Sequence, residues 1–548
     1  MTTLLLVAAL CIGADGHEFQ LHDITATCGI DFTPTCGTLP SREILEVNGG
    51  GMALLDFDSD GDLDLFIANG ATLEDPTHGP GSRLFENRSA DGRIAFHDAT
   101  DSSGIALTRW AMGAAAGDYD GDGHMDLYIT CHGPNVLLRN RGDGTFQDMT
   151  DAAGVAGDDW STSAAFGDLD ADGDLDLFVV NYLEFDPQHP PTRSQYKGRE
   201  VMGGPHGLAA THDVLHENLG DGTFRDVTVS SGVAKASAAY GLNLAILDMN
   251  GDGLLDVFVG NDSMPNHLFL QEADADGLQL REHGQRRGIS SNMDGHDQAT
   301  MGVAVADVNG DARPDIFTTN FSSDTNTLHI AAPDGLWDDR TTAMGLGLAS
   351  RRMLGWASAF ADLDHDGDED LLMVNGHVYP QATHETMDSE YTQPPVLMVR
   401  DGRRFTRSAS PPESLASPHR DRNLLLGDLD RDGDLDVLIG ELNGPVRVLQ
   451  NTVASNRQGM TITLHDQRPE SKDRFGLGAK LHITAGDESN TRWIPGGACF
   501  QSTMPPEVHL SIAQDIRQID ITVQWPDGRT HRFENIPPAP QIVLTRID

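Results

Sequence analysis

Residues 168–181 read DLDADGDLDLFVVN: carboxylates at alternate positions around one glycine, then a dense apolar run. The run Leu177–Val180 is too short for a helix and too apolar for a half-solvated strand, so it predicts a strand buried on both faces. The acidic part predicts a tight loop feeding that strand. The pattern recurs at 56–64 (DFDSDGDLD), 118–126 (DYDGDGHMD), 248–256 (DMNGDGLLD), 307–315 (DVNGDARPD), 362–370 (DLDHDGDED) and 428–436 (DLDRDGDLD). The first aspartates are spaced 62, 50, 80, 59, 55 and 66 residues apart, which marks a repeat array.

Outward from each loop, small and apolar residues precede it, as in STSAAFG at 161–167. A second element follows, clearest in NVLLRNRGDGTFQDMTDAAGV at 135–155 and DVLHENLGDGTFRDVTVSSGV at 213–233. Its central Asp-Gly favours a hairpin turn, so one repeat is a four-stranded antiparallel sheet. A sheet apolar on both faces is stable only when stacked, and seven stacked around an axis make an all-β, seven-bladed β-propeller. After the seventh loop the chain supplies NGPVRVLQN at 443–451 without a following F-x-D-x-T strand, whereas FQLHDIT at 19–25 stands alone near the N-terminus. The early strand is expected to complete the seventh blade. The period breaks near residue 455, where alternation in AKLHITA and QIDITVQW predicts a small C-terminal β-domain over 455–548, after a propeller over 17–454.

The loop chemistry follows from D-x-[DN]-x-D-G-x-x-D. Side-chain oxygens fall at positions 1, 3, 5 and 9, and position 7 offers a main-chain carbonyl. The candidate ligands are Asp56, Asp58, Asp60, Asp62 and Asp64; Asp118, Asp120, Asp122, His124 and Asp126; Asp168, Asp170, Asp172, Asp174 and Asp176; Asp248, Asn250, Asp252, Leu254 and Asp256; Asp307, Asn309, Asp311, Arg313 and Asp315; Asp362, Asp364, Asp366, Asp368 and Asp370; Asp428, Asp430, Asp432, Asp434 and Asp436. Hard oxygens in this number select Ca²⁺, up to seven ions, one per loop. Without a cation, carboxylates ~4 Å apart repel by about 4 kcal/mol per pair. An EF-hand is excluded because position 12 is Ile67, Ile129, Val179, Val259, Thr318, Met373 or Ile439 and never Glu. The loop at 307–315 is expected to be weakest, with Asn309, Ala312 in place of glycine, and Arg313 beside the ion. The loop at 248–256, with Asn250, comes next.

Composition agrees with this placement of charge. Against 84 Asp+Glu stand 37 Lys+Arg, for a net charge of −47, and the seven loops hold 31 of the acidic residues. A chain this acidic lacks the basic face that nucleic acid requires. The apolar run Leu4–Gly13 suits the core of a secretory signal over 1–16 and is too short to span a bilayer, which takes about 20 residues. The expected localisation is secreted, periplasmic or cell-surface, with no transmembrane span. Cys28 and Cys36 flank GIDFTPT, a spacing open to a disulfide or to two thiols. Cys131 and Cys499 read as buried thiols.

With these residues in view, the chain resembles the FG-GAP/VCBS repeat proteins, is similar in loop spacing to the integrin α-subunit propeller, and looks like bacterial relatives of cartilage acidic protein. The resemblance rests on CGIDFTPTCG (28–37), NGGGMALLDFDSDGDLDLFIANG (48–70), GNDSMPNHLF (260–269), QATMGVAVADVNGDARPDIFTTNF (298–321) and NGHVYP (375–380). RFGLGAKLHITAG, IPGGACFQS and the stretch ending at Pro537 resemble the ASPIC/UnbV domain, although SIAQ at 511–514 departs from the usual Gly-Leu-Gly segment. The resemblance implies calcium binding and extracellular interaction, without an agreed catalytic role.

The functional expectation is a calcium-stabilised interaction or adhesion module for a protein or glycan ligand. The competing reading is an extracellular polysaccharide-active enzyme using the long insertion 182–213, with His206, His212 and His216 in or just after it. No hydrolytic or nucleotide-binding motif accompanies those histidines. His377 is expected to order its loop by hydrogen bonding, Asp262 and Asn266 to cap turns near the axis, and Trp110, Trp160 and Trp356 to pack between blades.

Overall fold

The computed structural model describes residues 19–272, 277–469 and 471–547. The predicted leader and Cys11 lie outside these. Seven antiparallel sheets follow one another along the chain, and the second shows the plan: Ala111–Gly117, Asp126–Cys131, Val136–Asn140 and Phe146–Asp148, paired in that order. The first strand is made of small residues and the second of Leu, Tyr and Ile, and both are buried throughout. Small side chains let the first strands of successive sheets converge. Starting from Met52–Leu55, each first strand touches the next, and the last, Asp421–Gly427, touches Met52–Leu55. Separate apolar clusters fill the spaces between neighbouring sheets, and a larger one at the hub gathers strand residues of the second, fourth, sixth and seventh sheets with residues of the connecting segments.

The fourth strand explains the F-x-D-x-T motif. Its threonine hydroxyl accepts a third-strand amide in four repeats: Thr100 from Leu84, Thr150 from Leu137, Thr228 from Leu215 and Thr341 from Leu328, at 2.9–3.1 Å. In the seventh sheet the fourth strand is Leu21–Asp23, pairing antiparallel with Val446–Asn451, Leu21 opposite Asn451. Thr25 there accepts the Val448 amide at 3.0 Å, the same contact made from the other end of the chain.

Residues 457–546 form two more sheets. Arg457–Asp466 lies between antiparallel Glu507–Ala513 and parallel Gln541–Arg546. Glu488–Trp493, Lys480–Ala485, Ile519–Gln524 and Thr530–Ile536 make the other. The segment after Trp493 leaves these sheets and enters the hub. Gly496–Gly497 adds to the edge of the fourth sheet, Cys499 Sγ faces the Leu424 carbonyl, Asn423 Nδ2 donates to the Phe500 carbonyl, and Leu54 N donates to Thr503 O. Gly51 makes room for it, since a Cβ there would lie 1.7 Å from the Gln501 carbonyl oxygen.

Cys28 and Cys36 are free thiols buried in different clusters, so the spacing does not produce a disulfide. Cys131 and Cys499 are buried, and burial pushes both thiols up to about 12. Trp110, Trp160 and Trp356 are buried in the hub cluster. No helix among the described residues is long and apolar enough to cross a membrane.

Candidate metal centres

Each acidic loop joins the first strand of its sheet to the second, and its first carboxylate organises it. Asp118 accepts the amides of Asp122 and Gly123 at 3.0 and 2.8 Å, and Asp168, Asp362 and Asp428 do the same at positions 5 and 6 of their loops. The chain turns through two left-handed residues, at positions 4 and 6. Position 6 is glycine except at Ala312 (φ +62°), and position 4 holds Ser59, Ala171, His365 and Arg431 at φ +54 to +62°. Such conformations persist in side-chain-bearing residues only where surrounding bonds fix them. The position 9 carboxylate stitches the loop to the third strand: Asp126 accepts Tyr119 N at 3.1 Å and Asn140 N at 2.7 Å.

Burial of these groups is electrostatically costly. Desolvation pushes Asp64, Asp168 and Asp315 up to about 8 and Asp118 and Asp428 to about 7, and raises Asp126, Asp176, Asp256, Asp370 and Asp436 well above the carboxylate range. Such a site needs protons or a cation.

Three carboxylates converge, with ligand atoms within 4.8 Å of one another, in five loops: Asp56, Asp58 and Asp64; Asp118, Asp120 and Asp122; Asp168, Asp170 and Asp172; Asp362, Asp364 and Asp366; Asp428, Asp430 and Asp436. Within them Asp58 Oδ1 and Asp430 Oδ1 are buried without a hydrogen-bond donor, as open cation ligands would be. The all-oxygen donor set fits a hard divalent cation. Position 7 side chains turn elsewhere, Asp62 to Arg431 (3.8 Å), Asp174 to Lys472 (3.5 Å), Asp368 to Arg400 (3.7 Å) and Asp434 to His365 (3.6 Å), leaving that position its main-chain carbonyl.

The loops at 248–256 and 307–315 bring no such triad together among the described residues. Arg313 pairs with Asp311, and Lys480, from the C-terminal sheets, donates to the Ala312 carbonyl at 2.6 Å within the field of Asp248, Asp307 and Asp311. Protein cations thus stand in these two loops, whose carboxylates do not converge. The sequence signals Arg313 but not Lys480, which is 168 residues from Ala312. It also hides Arg139, paired with Asp120 at 2.5 Å and Asp122 at 2.9 Å.

Comparison with known families bears on these repeats directly. A model of the FG-GAP-like repeat matches residues 56–129, 118–179, 248–318 and 307–373, and a model described as ASPIC and UnbV matches 469–548. The chain carries FG-GAP repeats and a C-terminal ASPIC/UnbV domain. It is homologous to cartilage acidic protein 1, at 24% identity over 314 residues to the Homo sapiens protein (56% of this chain, 43% of that one) and 24% over 337 residues to the Xenopus tropicalis protein (60% and 48%). The chain spans about half the length of these curated relatives. Among solved structures it is similar to an Agrocybe aegerita lectin described as recognising non-reducing terminal N-acetylglucosamine, with TM-score 0.36, 15% identity and coverage of 65% of this chain and 78% of that one. The seventh acidic loop lies outside the FG-GAP matches yet shares their hydrogen bonds.

The FG-GAP repeats are joined by a residue the loop pattern does not include. The asparagine ending the third strand donates from Nδ2 to its own loop and to the preceding one: Asn87 to Leu63 O and Leu429 O, Asn140 to Met125 O and Phe57 O, Asn218 to Leu175 O and Tyr119 O, at 2.8–3.1 Å. The recurrent asparagine before the hairpin, in LRN140 and HEN218, is the signal for it. The ASPIC/UnbV sheets lie on the loop face. Lys472 N reaches Gly173 O (3.0 Å), Ser511 Oγ reaches Asp362 (2.5 Å) and Gln541 Nε2 reaches Asp428 (2.5 Å).

At the opposite ends of the strands, the insertion 182–213 forms a hairpin, Ser194–Tyr196 with Arg199–Val201, whose tip Lys197 bonds Ser323 Oγ and Met387 O. Its histidines do not assemble: His216 is buried in Val214–Asn218, His206 packs on Tyr240, and no converging triad among the described residues contains a histidine. His377 holds its loop, accepting Tyr379 N at 3.0 Å and meeting Ser322 Oγ at 3.0 Å. Asn266 caps the turn at Asn261 N, whereas Asp262 bonds Tyr182 across the hub.

Proposed function

We propose that the seven sheets of residues 17–454 form a seven-bladed β-propeller, that the β-domain of 455–548 closes its axis, and that the protein works outside the cell as a calcium-stabilised module presenting loops to a protein or glycan ligand. The observation that carries this reading is the convergence of three carboxylates in five loops whose first aspartate accepts the amides at positions 5 and 6, on sheets whose first strands touch in a closed cycle. In each loop the carboxylates at positions 1, 3, 5 and 9 and the carbonyl at position 7 would hold the ion. Bound Ca²⁺ supplies the positive charge that lets buried aspartates stay ionised while main-chain amides fix their orientation. Because Lys472, Ser511 and Gln541 bond these same loops, loop order and docking of the C-terminal sheets are coupled.

A ligand bound only by the folded state adds about 2.7 kcal/mol per site at a free concentration 100 times its Kd. Melting in EGTA, then with Ca²⁺ or Mg²⁺ restored, tests the reading: Tm is expected to fall on chelation and to recover with Ca²⁺ alone. An unchanged Tm refutes calcium stabilisation. Binding to arrayed glycans and matrix proteins, with and without Ca²⁺, tests the interaction role.

A further inference from the structure

A cavity of about 360 Å³ lies at the hub, roofed by the 194–201 hairpin on the side away from the acidic loops. The volume is in the range of small-molecule sites. Tyr196, Phe321 and Tyr379 wall it, packed on one another at 5.5–6.0 Å between ring centroids. Two polar groups line it as well. Half-buried Asp262 accepts hydrogen bonds from Tyr182 Oη (2.6 Å) and Ser263 Oγ (2.8 Å), His206 of the same cavity acts on it electrostatically, and no lysine or arginine pairs with it among the described residues. Asn48, 3% exposed, lines the same cavity, and its Nδ2 has no hydrogen-bond acceptor.

These groups ask for complementary chemistry. A carboxylate partly withdrawn from water favours a cationic partner, and among the described residues Asp262 has two hydroxyl donors and no salt bridge. Aromatic walls favour cations as well, through the negative faces of their rings. A buried amide N–H left unmade costs about 1–3 kcal/mol, so Asn48 favours a ligand that carries an acceptor. The acidic rim, Asp297 and Asp324, adds attraction for positive charge.

We propose that the hub cavity binds a small organic amine with an aromatic body and a hydrogen-bond acceptor, its ammonium paired with Asp262, its ring against Tyr196, Phe321 and Tyr379, and its acceptor facing Asn48. Tyramine is the probe, tyrosol its uncharged isostere, and methyl β-glucopyranoside represents a neutral polyol. Each is titrated calorimetrically into the full chain in millimolar Ca²⁺. Tyramine is expected to bind about tenfold or more tighter than tyrosol. Asp262→Asn should remove that difference while leaving tyrosol unchanged, and Tyr196→Ala should weaken both. The tyramine–tyrosol comparison on the unaltered protein stands even where a variant melts early. Equal affinity for tyramine and tyrosol, binding of neither, or binding of the glycoside alone overturns the proposal.

Discussion

Replacing Phe500 by alanine probes how the C-terminal segment is held. Phe500 is fully buried in the hub, its ring centroid 4.9 Å from that of Trp356 at an interplanar angle of 64°. Truncation removes the ring from between first strands fixed by their own ladders, so the space cannot collapse. Buried Phe→Ala changes cost about 3–5 kcal/mol, and the lost edge-to-face contact belongs at the upper end of that range. The main chain should stay in place, because Asn423 still donates to the residue-500 carbonyl. The expectation is a loss of about 4 kcal/mol, read by urea unfolding in saturating Ca²⁺ as a lower midpoint at unchanged slope. Val543→Ala, at a position 63% exposed in the C-terminal sheets, should change stability by less than about 0.5 kcal/mol. A Phe500→Ala loss under about 1 kcal/mol would refute the packing of this segment in the hub.

Chelated protein should become less stable as pH rises from about 4 to 8. Asp118, Asp168 and Asp315 have folded-state values of about 7, 8 and 8 against 3.8 unfolded, so the folded state holds the extra protons across this window, and each group protonated when folded but ionised when unfolded costs about 1.4 kcal/mol of stability per pH unit. Melting in EGTA checks the sign, and a Tm that climbs with pH contradicts it. Asn140→Ala leaves the Phe57 and Met125 carbonyls without their donor and should cost about 2 kcal/mol or more in chemical unfolding, whereas Asn→Ala at exposed Asn456 should be near neutral. Lys480→Met withdraws a cation from the field of Asp248, Asp307 and Asp311 and should tighten the weakest class of calcium sites several-fold in calorimetric titration. An unchanged weak class would show that Lys480 does not compete there.

What the sequence disclosed was local. The nine-residue loops put their carboxylates on one turn by spacing alone, and the run after each loop is buried on both faces, as in Asp176–Asn181. The lone segment at 19–25 is paired with Val446–Asn451, because a sheet lacking its fourth strand leaves that edge open. What stayed hidden depends on contacts between distant residues. Nothing near Lys480 in the chain points to Ala312, and nothing in IPGGACFQS says that it will thread among first strands hundreds of residues away. Cys28 and Cys36 lie close in sequence but are drawn into separate clusters by Ile24 and Leu45 on either side. Histidines in the insertion could be counted but not placed, and folding sends His206 to the hub rim and His216 into a strand.

Anomalous diffraction from crystals grown in millimolar Ca²⁺ tests the central claim most directly. Strong peaks are expected, about 2.3–2.6 Å from carboxylate oxygens, in the loops beginning at Asp56, Asp118, Asp168, Asp362 and Asp428, and weaker peaks at Asp248 and Asp307. Absence of density from the first five loops, or density confined to the last two, would contradict it.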